Sequence, residues 1–203
     1  MFLGGDMFDY YTNVLTRSAI ALTYFDFLRC GEFTTISKVF DPDTNVCLGD
    51  VVVQFNEACL ILKFSKTDPF RQGVSMAYFR VNCSFCPIEA LEKFLQLRVR
   101  FANIPQTPLF LFKDYSHLTR AKFLELLHKT CERAGLNSNN YKGHSFRMGA
   151  ATSAAARGLQ DHLIQCLGRW RSDAYKTYVT VAKSSIKTAH EKIKNDLNVN
   201  PMI

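Results

Sequence analysis

Acidic side chains are scarce at the end of this 203-residue sequence: residues 140–203 hold 4 Asp and Glu against 10 Lys and Arg, whereas residues 1–139 hold 14 against 15. The formal charge of +7 is therefore carried almost wholly by the last third. A positive region so concentrated points first to a polyanion, above all nucleic acid, with an acidic membrane surface or no partner as the alternatives. Long apolar runs are missing too. The best, Ala19 to Phe25, is broken by Asp26 and Arg29 well short of the roughly 20 residues that a membrane span needs. Asp6 and Asp9 stand where a signal peptide carries positive charge, so neither a cleaved leader nor a membrane span is expected. The cysteines, at positions 30, 47, 59, 83, 86, 131 and 166, are odd in number and lack the density of a secreted disulfide scaffold, which favours reduced thiols in an intracellular compartment. There is no Gly-x-Gly-x-x-Gly and no phosphate loop ending in Gly-Lys-Ser/Thr, and hence no reason to expect a nucleotide cofactor. With no internal repeat, linker or low-complexity tract, one domain over 1–203 is expected.

What is present reads as an α+β fold. Tyr11, Val14, Leu15, Ala19, Leu22 and Phe25 recur at helical spacing over residues 9–28, and Gly31 is placed to stop that helix. Three short β-like runs follow, Val51 to Phe55, Cys59 to Phe64 and Val74 to Arg80, joined by short polar segments, so a small three-stranded antiparallel meander is expected near the N-terminal side. From Pro87 the apolar period turns helical, with Ile88, Leu91, Phe94, Leu95 and Val99 on one stripe. A second helix follows Thr119 and stops at Gly135. Further helical segments run over about 145–157, 160–167, 172–181 and 185–197, giving a mostly helical body around one small sheet.

The most informative stretch is Gly143-His144-Ser145-Phe146-Arg147-Met148-Gly149-Ala150-Ala151-Thr152, where His144 and Arg147 lie three apart at the start of a helix. They share one face, so a proton carrier stands beside a fixed cation. The small residues behind them make a slim helix that neighbours can approach closely. On spacing alone, a capping histidine beside a surface arginine is the plainer reading. Three other elements change the weight. Arg29 follows a buried helix in Phe27-Leu28-Arg29-Cys30-Gly31-Glu32, Lys66 sits in the turn Ser65-Lys66-Thr67-Asp68-Pro69, and Leu167-Gly168-Arg169-Trp170-Arg171-Ser172-Asp173-Ala174-Tyr175-Lys176-Thr177-Tyr178 closes the basic third. Each alone has a bland account: a helix-end cation paired with Glu32, a solvated turn lysine, a tyrosine on an amphipathic helix.

In this order, the elements resemble the tyrosine recombinases, the phage integrase family, and most closely its eukaryotic transposon-type members. That pattern is an arginine ending a buried helix, a lysine in a β-turn, His-x-x-Arg, a His or Trp, and a tyrosine, here spread over Leu15 to Val181. The resemblance implies DNA breaking and joining through a covalent 3′-phosphotyrosine, as in site-specific recombination or transposon integration, without metal or other cofactor. Arg29 and Arg147 would clamp the phosphate, since planar guanidinium forks match its oxygens and keep their charge. Lys66 would protonate the leaving 5′ oxygen and His144 would take the nucleophile's proton. Tyr178 is chosen over Tyr175 as nucleophile because it lies 31 positions beyond Arg147 and 9 beyond Arg169, the family's usual placement.

Two departures from the family pattern bear on these assignments. Many members have Leu-Gly-His where this chain has Leu167-Gly168-Arg169-Trp170, so counting favours Arg169 and residue type favours Trp170, which is preferred because an indole N–H can donate to a phosphate oxygen. The family's separate N-terminal core DNA-binding domain is also expected to be absent, with about a dozen residues ahead of the first helix. The resemblance further implies double-stranded DNA as partner, a homo-oligomer, a tetramer, assembled on it, and a nuclear location for a transposable element's enzyme. A tail helix over 185–197, with Ile186, Ala189, Ile193 and Leu197 on one stripe, would dock on its own domain or on a neighbour in that assembly. The alternative function is a non-catalytic DNA-binding or interaction module derived from such an enzyme. Cys83-Ser84-Phe85-Cys86 has zinc-knuckle spacing but no second ligand pair, so no metal is expected, and His117, His128, His162 and His190 read as surface residues.

Overall fold

The computed structural model describes residues 8–36, 39–63, 72–177 and 191. The chain divides into two compact units, residues 1–147 and 148–203. The first unit opens with α1 (Tyr10–Phe25), started by Asp9, whose carboxylate accepts the amide hydrogens of Tyr11 and Thr12 at 3.1 and 3.4 Å. The helical spacing read from the sequence buries Leu15, Ala19 and Leu22. The helix does not stop at Gly31, as the sequence suggests. It ends at Asp26, Phe27 turns the chain at φ 51°, and Gly31 lies inside a short second helix, α2 (Cys30–Phe33). A bulky residue keeps a left-handed conformation only where packing holds it, and Phe27 and Leu28 are both buried.

β1 (Val51–Val53), β2 (Glu57–Leu62) and β3 (Val74–Phe79) form the expected antiparallel meander in the order β1-β2-β3. The register pairs Val51 with Leu60 and Leu60 with Met76. Ala58, Leu60, Leu62, Met76 and Tyr78 therefore face inward while Ile61 and Phe79 stay exposed. Gly73, at φ 72°, brings the chain back into β3 so close to β2 that a Cβ there would lie 3.2 Å from the Leu62 carbonyl oxygen. Residues 64–71, which carry Lys66, lie outside the described residues.

α3 (Pro87–Arg98) and α4 (Arg120–Arg133) begin where the sequence places them, with Pro87 in the first turn and Thr119 accepting the Lys122 amide hydrogen at 3.1 Å. Arg98, at the end of α3, is fully buried, and its guanidinium donates to the carbonyls of Ala102 and Pro108 and to Thr107 Oγ1, stitching down the loop that follows. A relay of rings runs through this unit. Tyr11 meets Phe94 at 5.9 Å, Phe94 stacks on Phe110 at 5.4 Å, and Phe33 meets Phe110 at 6.1 Å and Phe123 edge-on at 4.9 Å. The last contact ties α2 to α4.

In the second unit, the described residues comprise most of α5 (Ser145–Ala156), α6 (Asp161–Gly168) and a 3₁₀ turn over Asp173–Thr177. Ala150, Ala151, Ile164 and Tyr175 are buried, and Gly158 turns the chain between the helices at φ 78°. The helix expected over 172–181 is a 3₁₀ turn as far as it is described, and the tail helix expected over 185–197 lies outside the described residues apart from Glu191. Among the described residues, no helix is long and apolar enough to cross a membrane, and no group of three His, Cys, Asp or Glu could hold a metal ion.

Candidate functional site

Arg29 stands at the corner where α1 gives way to α2. Its backbone is extended, and its amide hydrogen is donated to Glu32 Oε2 at 2.8 Å while its Nη1 donates to Glu32 Oε1 at 2.9 Å. The Glu32 side chain is 3% exposed and that of Arg29 20%. One buried carboxylate thus fixes both the backbone and the guanidinium of Arg29, while the Arg29 side chain still reaches the surface. The pairing of Arg29 with Glu32 that the sequence offered as the bland account is therefore present. That pairing engages Nη1, one nitrogen of a fork that carries five donors.

Arg147, three residues into α5, is 4% exposed and not a surface arginine. Its Nη1 donates to the Phe27 carbonyl at 2.5 Å, a contact across 120 positions that places it against the same corner, two residues before Arg29. The turn entering α5 is packed there as well: a Cβ on Gly143 would lie 3.3 Å from Cys30 Cβ and 3.6 Å from Arg120 Nη2. Ser145 Oγ accepts the Lys142 amide hydrogen at 2.8 Å, Phe146 meets Phe123 at 6.0 Å, and the His128 ring bonds the Tyr141 carbonyl at 2.8 Å. His144 follows Gly143 and is exposed. The first unit therefore brings Arg29, Glu32 and Arg147 to one corner, with Gly143 and the exposed Arg120 packed beside it and His144 next in sequence to that glycine. Sequence reasoning passed over Arg120 and read His128 as a surface residue. The glycine before His144 was the one visible sign of that close approach.

Trp170 and Tyr175 belong to the second unit. Their rings lie 5.8 Å apart at 44°. Tyr175 is 2% exposed, and burial together with a hydrogen bond to Asp161 pushes its phenol above its ordinary range, the opposite of what activates a nucleophile. Arg169 takes the left-handed conformation that ends α6, at φ 54°. Lys66 and Tyr178 lie outside the described residues.

The family model described as "Phage integrase family" matches residues 11–184. No curated protein matches the chain. Among solved structures, the fold is similar to XerH site-specific recombinase bound to palindromic difH substrate in a post-cleavage complex, with a TM-score of 0.66 and 18% identity over 90% of this chain and 46% of that one. It is similar to XerA recombinase, with a TM-score of 0.63 and 16% identity over 95% of this chain and 64% of that one. The Tn1549 transposon integrase in complex with transposon right end DNA follows at a TM-score of 0.53 and 11% identity, covering 96% of this chain and 67% of that one. This chain spans about half the length of the XerH chain.

Proposed function

Since the chain belongs to the phage integrase family, we propose that it breaks and rejoins double-stranded DNA through a covalent 3′-phosphotyrosine. The observation that supports this reading is the corner of the first unit, where Arg29 is held on its Glu32 anchor and Arg147 on the Phe27 carbonyl, with His144 three residues before Arg147. A phosphodiester is attacked through a transition state whose charge spreads over the non-bridging oxygens, and two preoriented guanidinium forks are suited to hold it. The Tyr178 oxygen forms the new bond to phosphorus as the bond from phosphorus to the 5′ oxygen breaks. His144 takes the phenolic proton, and Lys66 gives a proton to the leaving 5′ oxygen. The Trp170 indole N–H donates to a non-bridging oxygen. The phosphotyrosine conserves the bond energy, so a second 5′ hydroxyl reverses the step and joins the strands without ATP. No step needs a metal.

We read the chain as a transposon-type recombinase acting in the nucleus, on the resemblance of its motifs in order from Arg29 to Tyr178, and as working in a tetramer on DNA. A duplex nicked close to the cleaved phosphate tests the reaction, because the short strand diffuses away and leaves protein trapped on DNA. Trapping in the presence of a chelator is the expected result. Salt-sensitive binding without trapping would instead favour the non-catalytic DNA-binding module, and neither trapping nor binding would favour an interaction domain.

A further inference from the structure

The end of α6 is built around a glycine that its backbone does not require. In helix endings of this type, the left-handed position is the one that favours glycine. Here that position is filled by Arg169, at φ 54°, whose amide hydrogen goes to the carbonyls of Gln165 and Cys166, while the Trp170 amide hydrogen is donated to Gln165 at 3.0 Å. Gly168, one residue earlier, is the last residue of the helix and is not among those at positive φ. What it supplies is space. A Cβ on Gly168 would lie 1.6 Å from Trp170 Cζ3, 1.9 Å from Cε3 and 2.3 Å from Cη2. The six-membered ring of the indole thus lies where any other residue would put its side chain. Tyr175 faces that ring at 5.8 Å, itself buried and hydrogen-bonded to Asp161 in the first turn of α6.

We propose that Gly168 is a positioning residue: the absence of its side chain seats the Trp170 ring against the end of α6, so that Trp170, and not Arg169, fills the His-or-Trp position of the site. The role of Trp170 in the reaction rests on the function proposed above; the seat of the ring does not. Arg169 takes the left-handed turn that swings the chain back, and its Nη1 donates to the Leu167 carbonyl at 3.3 Å, at the end of its own helix. Trp170 depends on what is missing at 168. The glycine in Leu167-Gly168-Arg169-Trp170 is therefore a steric requirement of the tryptophan that follows it by two.

The protein contains one tryptophan, so its emission reports this ring alone. In Gly168→Ala, the emission maximum should shift to the red and acrylamide quenching should rise, while DNA affinity stays close to that of the parent and trapping on the nicked duplex falls about 100-fold, the scale of an ångström's misplacement. Arg169→Gly should keep the spectrum and the trapping. The atoms that would clash, Cζ3, Cε3 and Cη2, are absent from an imidazole, so in a Trp170→His background Gly168→Ala should change neither Tm nor trapping. That non-additivity is the signature of a direct steric pair. An unshifted spectrum in Gly168→Ala would overturn the seat, and a shifted spectrum with unchanged trapping would overturn its role in positioning. If Gly168→Ala does not fold, the Trp170→His background decides: a folded double variant supports the steric pair, and an unfolded one overturns it. If the parent itself never traps DNA, the proposed function fails while the spectra still judge the seat.

Discussion

The substitution that tests the Arg29 corner most directly is Glu32→Gln, which keeps shape and removes the charge. The carboxylate accepts from the Arg29 amide hydrogen at 2.8 Å and from its Nη1 at 2.9 Å, from a side chain only 3% exposed. A carboxamide has one oxygen and one NH₂, so one of the two Arg29 donors must face another donor. Losing the bond to the amide costs about 1 kcal/mol, and losing a charge-assisted one about 1.5–3 kcal/mol. Arg29 is 20% exposed, so water recovers part of the second loss and a net destabilisation of about 2–3 kcal/mol is expected. With a urea m-value of about 2 kcal/mol/M, the midpoint should fall by about 1–1.5 M, read by circular dichroism. Without this charge-assisted bond the guanidinium should also lose aim, lowering trapping on the nicked duplex by about 10- to 100-fold, more than DNA binding falls. Glu32→Asp, one methylene shorter with its charge kept, should lie between. An unchanged midpoint with unchanged trapping in Glu32→Gln would refute the claim that this carboxylate holds Arg29 for the phosphate.

Much of the scaffold is legible in the sequence because its causes are local. Pro87 after Cys86, Thr119 before α4 and Gly135 after it are signals that depend on adjacent residues, and those helices begin and end close to where they suggest. The end of α1 was misread for the opposite reason. A phenylalanine at φ 51° has no local signature, and only the burial of Phe27 makes that turn affordable, so the glycine at 31 attracted the assignment instead. The same divide runs through the site. The three-residue interval between His144 and Arg147 is a sequence fact, but the burial of Arg147 is set by a carbonyl 120 positions away, which no periodicity encodes. Residue type favours Trp170 over Arg169 in the sequence, whereas the packing of the Trp170 ring into the space above Gly168 is visible only once the chain has turned back on itself.

Tyr178→Phe should abolish trapping while leaving DNA affinity nearly unchanged, and Tyr175→Phe should keep trapping with a lower Tm as its bond to Asp161 is lost; trapping that follows Tyr175 instead would reassign the nucleophile. Burial raises the Tyr11 phenol above its ordinary value, its OH being donated to the Leu111 carbonyl at 2.6 Å, so the folded state holds this proton more tightly than the unfolded one. Its contribution is full below about pH 10 and is lost as pH rises through the folded value, so Tyr11→Phe should flatten the fall of Tm at alkaline pH. Arg98→Ala, which frees three acceptors of the loop at 102–108 and leaves a cavity in their place, should destabilise by about 3 kcal/mol or more in urea without changing which DNA strand is trapped. The last substitution is Arg147→Lys, which retains the charge. Arg147 anchors one nitrogen on the Phe27 carbonyl at 2.5 Å, and its guanidinium is planar, with several donors held in one fixed fork. A lysine has a single ammonium, which can stay on that carbonyl or turn to the phosphate but cannot span both in a fixed plane. Folding and salt-dependent DNA binding should therefore survive, since both need little more than a cation near the corner, while trapping should fall about 100-fold. Near-normal trapping by Arg147→Lys would mean that charge alone suffices there and that the bond to Phe27 positions nothing the reaction uses.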